Sequence, residues 1–140
     1  MTIEEIAAQF DTRGTIEKVI PHGSGHINDS YRMVNKSGEH PDYLLQRINH
    51  YVFRDVELLM QNISLVTGHI YAIQKERGIP DLHRRTLTII PTREGASYLK
   101  VADPEESYWR VFNFIGEHEV FEKAPDTEIA REGARMFGDF

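Results

Sequence analysis

The chain has 140 residues, 40% hydrophobic and 10% aromatic, enough for one ordinary domain or one lobe of a larger protein, and disorder is not expected. A formal charge of −6 argues against an electrostatic nucleic-acid binder, which needs a basic face. Without cysteine there are no disulfides, thiolate chemistry or cysteine metal sites. The opening Met1-Thr2-Ile3-Glu4-Glu5 has neither the basic nor the apolar region of a signal peptide, and no apolar run approaches membrane-spanning length. A cytoplasmic protein with no membrane partner is expected.

Thr2 followed by Glu5 matches a helix capping box, and Ile3, Ile6, Ala7 and Phe10 make one apolar stripe. This predicts a short N-terminal helix ending near Asp11 to Gly14. Thr15 to Ile20 and Ser30 to Asn35 read as strands on either side of a glycine loop, with a turn at Lys36-Ser37-Gly38. Tyr43 to Ile48 is a third strand, apolar enough to lie inside a sheet. Val52, Val56, Leu59, Ile63, Val66, Ile70 and Ile73 then alternate steps of four and three, which predicts a helix roughly 35–40 Å long. Gly78 and Pro80 stop it.

Thr86 to Pro91 and Ser97 to Val101 flank Thr92-Arg93-Glu94-Gly95 and read as a hairpin, and Tyr108 to Ile115 is a strand ending at Gly116. A capped helix starts near Asp126 or Thr127, with Ile129, Met136, Phe137 and Phe140 at helical spacing. An amphipathic pattern stopped in mid-course is expected of a truncated chain. The fold class is therefore α+β: an antiparallel, twisted sheet of about five strands with one long packed helix and a short N-terminal helix.

The loop Pro21-His22-Gly23-Ser24-Gly25-His26-Ile27-Asn28-Asp29-Ser30 carries the chemistry. Two glycines two apart at a strand end let the backbone turn sharply and leave amide N–H groups open to phosphate oxygens. The same composition also suits an ordinary hairpin turn. Asn28 stands where a dinucleotide fingerprint has its third glycine, and a strand follows instead of a helix, so this is no Rossmann unit; a Gly-Lys-Ser/Thr P-loop is also missing. His22 and His26 are four apart but flank a glycine loop, and the other histidines are scattered, so no protein metal site is expected.

Four segments in register, Gly23-Ser24-Gly25-His26-Ile27-Asn28, Leu44-Leu45-Gln46-Arg47-Ile48-Asn49, Val52-Phe53-Arg54-Asp55-Val56 and Tyr108-Trp109-Arg110-Val111-Phe112-Asn113-Phe114-Ile115, give the chain a resemblance. It is similar to the N-terminal lobe of the aminoglycoside phosphotransferase and choline kinase superfamily, and most of all to its sugar kinases, the N-acetylhexosamine 1-kinases. The resemblance implies a kinase-like nucleotide lobe over residues 1–115 and a hinge with the start of a C-terminal lobe over 116–140. It implies transfer of the ATP γ-phosphoryl group to a sugar hydroxyl, with ATP and Mg²⁺ as cofactors and the C-terminal lobe as the partner supplying metal ligands and catalytic carboxylate. The 140-residue chain alone is then expected to be inactive and prone to self-association.

The resemblance also assigns roles. Backbone N–H groups of Ser24, Gly25, His26 and Ile27, beside Gly23, would cover the β- and γ-phosphates, with Asn28 donating from its side-chain amide. A kinase-like lobe carries a cation on the third strand; Arg47 is one candidate, and Gln46, on the opposite face, is the other. Glu57, early in the long helix, is the candidate ion-pair partner. Main-chain groups of Asn113, Phe114 and Ile115 would bind the adenine edge. Two alternatives stay open: a non-catalytic interaction module, and a kinase for another small alcohol such as choline, homoserine or an aminoglycoside.

Overall fold

The computed structural model describes residues 1–116, 121 and 123–139. Its elements in chain order are α1 (Ile3–Ala7), β1 (Ile16–Pro21), β2 (Asp29–Asn35), β3 (Tyr43–Ile48), α2 (Val56–Glu76), α3 (Leu82–Arg85), β4 (Ile89–Ile90), β5 (Leu99–Val101), β6 (Ser107–Asn113) and α4 (Thr127–Asp139). All strand pairs are antiparallel, in the order β1-β2-β3-β6-β4, and β5 also pairs with β6. The last strand, β6, therefore lies beside β3, the strand before the long helix, and β4, the first strand after that helix, lies beyond it. The α+β expectation holds, with six strands in the sheet where about five were expected.

Strand alternation sends residues to two differently covered faces. On one face Met33, Tyr43, Leu45, Trp109 and Val111 bury themselves against Ile6, Ala7 and Phe10 from the N-terminal segment. On the other, Ile48 packs with Val56 and Met60 of α2, supported by Phe53, Leu59, Ile63 and Tyr108.

The capping box closes the start of α1: Thr2 Oγ1 accepts from Glu5 N–H and Glu5 Oε2 accepts from Thr2 N–H. The helix is shorter than its stripe. Phe10 lies beyond it in an isolated bridge with Thr92, yet is fully buried. Two backbone bonds, Asp11 N–H to the Pro91 carbonyl and Arg93 N–H to the Gln9 carbonyl, replace the turn that a longer helix would have made.

Helix α2 starts later than its apolar pattern. Asn49 takes up the intervening chain, its side-chain oxygen accepting from the Tyr51 and Val52 amides, so Val52 lies outside the helix and exposed. Asp55 then caps α2 by accepting from Leu58 N–H at 2.9 Å. Val66 is 47% exposed, while Met60, outside the predicted stripe, is fully buried. A helix rotated by a fraction of a turn buries its 56–60 edge on the sheet and leaves Val66 at the rim.

The predicted hairpin over residues 86–101 does not form. Ile89 and Ile90 pair with Phe112 and Val111, and residues 99–101 pair with 109–107, so both segments pair with β6 and not with each other. Residues 91–98 loop out between them. The strand expected from Thr86 shortens because the Thr86 amide ends α3 and its hydroxyl donates to Gln74 Oε1 at 2.7 Å. In α4, Asp126 accepts from Ile129 N–H, and Ile129, Met136 and Phe137 are exposed; Phe140 falls outside the described residues. Among the described residues no helix is long and apolar enough to cross a membrane.

Candidate functional site

The β1–β2 connection is set by its two glycines. Gly23 has φ of +76°, a conformation costly for any residue with a Cβ. At Gly25 the constraint is space: a Cβ would stand 2.9 Å from the Asn28 carbonyl oxygen. The backbone amides of residues 23–28 make no hydrogen bond within the described residues, although the flanking His22 N–H is bonded to the Ser30 carbonyl. Six consecutive open donors thus line an exposed turn. Together with Pro21, Asp29, Ser30 and Tyr31, loop residues enclose a concavity of about 180 Å³.

Asn28 anchors the loop. Its side-chain oxygen accepts from Asn49 N–H at 2.9 Å, tying the loop to the chain that leads into α2. Its side-chain amide remains a donor.

Behind the loop, three strands place Ser30, Gln46 and Arg110 side by side, since Ser30 is registered with Gln46 and Gln46 with Arg110. Gln46 Nε2 donates to Ser30 Oγ at 3.0 Å, and Arg110 Nε donates to Gln46 Oε1 at 3.1 Å. These bonds fix the glutamine amide with its oxygen toward the arginine and its nitrogen toward the loop side. Arg110 is 8% exposed; its Nη1 lies 3.9 Å from Met60 Sδ and its Cζ 5.0 Å from the Phe112 ring centroid. Among the described residues no acidic side chain pairs with it, and burial pushes its guanidinium below its ordinary pKa.

Gln46 and Arg47, both open from sequence, separate cleanly. Gln46 shares the face covered by α2. Arg47 stands between Asp29 and Trp109 in register on the other face, 3.8 Å from the exposed Glu105 carboxylate. Glu57 is exposed in the first turn of α2; Gln61 is its hydrogen-bond partner, at 3.5 Å, and it is brought to neither strand residue. The α2 residue that meets the row is Met60.

Strand β6 ends at Asn113, before Phe114 and Ile115. The Asn113 N–H goes to the Thr88 carbonyl, and its side chain bonds Thr88 N–H and the His83 and Thr86 carbonyls. The Phe114 N–H goes to the Asp42 carbonyl at 3.3 Å. Of the three amides proposed for an adenine edge, Ile115 N–H alone is unbonded among the described residues. Phe114 also joins the end of β6 to the loop: the His22 ring meets it edge-on at 5.1 Å, and Arg32 Cζ sits 4.5 Å above it. Arg32 is in turn held by Asp42 at 2.6 Å.

Sequence reasoning passed over Arg110 and the His22–Phe114–Arg32 stack. The signal for Arg110 was available: a lone cation within Trp109-Arg110-Val111-Phe112 has no solvent side if the strand is central. A second groove, about 240 Å³, runs between α2 and residues 87–89 but carries no charged side chain. No group of three or more histidines or acids among the described residues could hold a metal ion. No protein-family model matches the chain.

Proposed function

We propose that this chain is the ATP-binding lobe of a small-molecule kinase that transfers the γ-phosphoryl group to a sugar hydroxyl. The observation that carries the reading is the run of six amides at residues 23–28 left open among the described residues, of which Gly23, Gly25 and Asn28 line a concavity. Such a run is a ready anion cradle, because each N–H contributes a fixed partial positive charge without requiring side-chain ordering. The row behind the loop supplies a fixed amide and a buried cation, and the His22–Phe114 contact brings the loop's entry to the segment that carries the Ile115 N–H, unbonded among the described residues. The choice of an N-acetylhexosamine as acceptor rests on the sequence resemblance.

ATP fits these residues in part: the loop amides would hold phosphate oxygens, Asn28 would add a side-chain donor, and Ile115 N–H is the one amide of 113–115 left for the base among the described residues. Mg²⁺ is not provided for in the same way. Among the described residues Asp29 is the one acid on the concavity, so metal ligands and the carboxylate that orients the acceptor hydroxyl are assigned to a C-terminal lobe. When bound, Mg²⁺ neutralises charge developing on the phosphates.

The test is a titration of isotope-labelled protein with ATP, and separately with adenosine, followed by amide NMR. ATP should move the resonances of residues 23–28 and Ile115, and adenosine only those near Ile115 and Phe114. Millimolar ATP without a response at residues 23–28 would refute the reading.

A further inference from the structure

Arg110 presents an electrostatic imbalance. Buried guanidinium groups are ordinarily paired with a carboxylate, since an uncompensated charge away from water is costly. Here the nitrogens meet an amide oxygen and a thioether, and the flat face of the group lies over Phe112. Neither an amide nor a sulfur neutralises the charge. Among the described residues the positive charge is therefore left over, one strand from Gln46 and two from Ser30, which lines the loop concavity. The polar row runs from Ser30, on the wall of the loop concavity, to a cation with no acidic partner among the described residues.

We propose that Arg110 is the counter-charge for a polyphosphate held at the glycine loop, acting as a positioning residue through Gln46, so that the site selects nucleotides by their number of phosphates. The inference rests on the nucleotide reading given above. The Arg110 bond fixes which end of the Gln46 amide faces the loop, so Gln46 Nε2 is presented as a donor. The strand spacing of about 4.8 Å puts the cation roughly 10 Å from Ser30, behind low-dielectric side chains, where its field is weakly screened. A triphosphate gains more from that field than a diphosphate, and a nucleoside gains nothing.

Binding of ATP, ADP and adenosine is measured by calorimetry for the wild-type chain, Arg110→Met and Gln46→Glu, with melting temperatures for each. Arg110→Met should weaken ATP about tenfold, ADP less, and adenosine by no more than about twofold. Gln46→Glu supplies the missing carboxylate beside Arg110. It should melt at or above the wild-type temperature and still lose about tenfold in ATP affinity, opposite movements that a structural role would not produce. If Arg110→Met does not fold, Gln46→Glu decides. The proposal is overturned if a folded variant binds ATP as the wild type does, or loses ATP and adenosine in equal proportion. A wild-type chain that binds no ATP removes the nucleotide reading and this inference together; wild-type binding with unaffected variants removes this inference alone.

Discussion

Asn35→Ala should cost about 3 kcal/mol of stability while leaving nucleotide binding intact. Asn35 ends β2 and is 8% exposed. Its side-chain oxygen accepts from Thr15 N–H at 2.9 Å, and its amide nitrogen donates to the Arg13 carbonyl at 2.8 Å and the Pro41 carbonyl at 2.9 Å. One side chain thus joins the entry to β1, the end of β2 and the turn before β3. Alanine removes three hydrogen bonds worth about 1 kcal/mol each and leaves backbone partners to find water at partly covered positions. Its own N–H bond to Asp42 survives, since it belongs to the backbone. Urea unfolding should show a lower midpoint at unchanged slope, and the melting temperature should fall by on the order of 10 °C. Asn35 lies at the opposite end of the β1–β2 hairpin from the glycine loop, so ATP affinity should stay within about twofold of wild type. A loss below about 1 kcal/mol would show that water replaces these bonds at little cost and refute the reasoning.

The two loop glycines should respond differently to alanine. Gly23→Ala meets open space but a positive φ, so it should cost about 1 kcal/mol in stability, whereas Gly25→Ala collides with the Asn28 carbonyl and should reshape the loop, cutting ATP affinity with a smaller effect on melting; equal effects on binding would contradict this. Acid should weaken a surface cluster on β5 and β6. The Tyr108 hydroxyl, then Lys100, hold the exposed Glu106 carboxyl below its ordinary pKa, with bonds of 2.7 and 2.9 Å. A lowered folded pKa gives stability that is present above the unfolded value and lost as pH falls through the folded one. The wild type should therefore exceed Glu106→Gln slightly at neutral pH and lose that margin through the carboxylate range, followed by melting temperature; a margin that grows in acid would be the wrong sign.

The parts of the fold that could be read from the residues are those with local causes. The capping box at Thr2, the spacing from Val56 to Ile73 and the alternation in β2, β3 and β6 each act within a few residues, and these elements appear within a turn or two of their expected places. Partner choice was less legible. Residues 89–90 and 99–101 could pair with each other or with β6, and the anchoring of residues 91–93 onto the end of α1 decides it. Alternation placed Gln46 and Arg47 on opposite faces but could not say which face α2 would cover; Met60 and Arg110 settle that. The loop glycines were plain, but the role of Asn28 as a tie to Asn49, 21 residues away, was not.

The looped-out stretch at residues 91–98 has a further effect, on how the chain meets its neighbours. Beyond β6 the backbone edge is split into a two-residue and a three-residue strand, with a side excursion between them pinned to the N-terminal segment. At the opposite edge, β1 carries a register shift between Ile16 and Lys18, the charged pair Glu17 and Lys18, and a terminal Pro21 that has no N–H to offer. Neither edge presents a long, even row of donors and acceptors for a foreign strand to copy. Crowding this protein therefore favours contact through exposed side chains, such as Met136 and Phe137 on α4, over growth of the sheet from molecule to molecule.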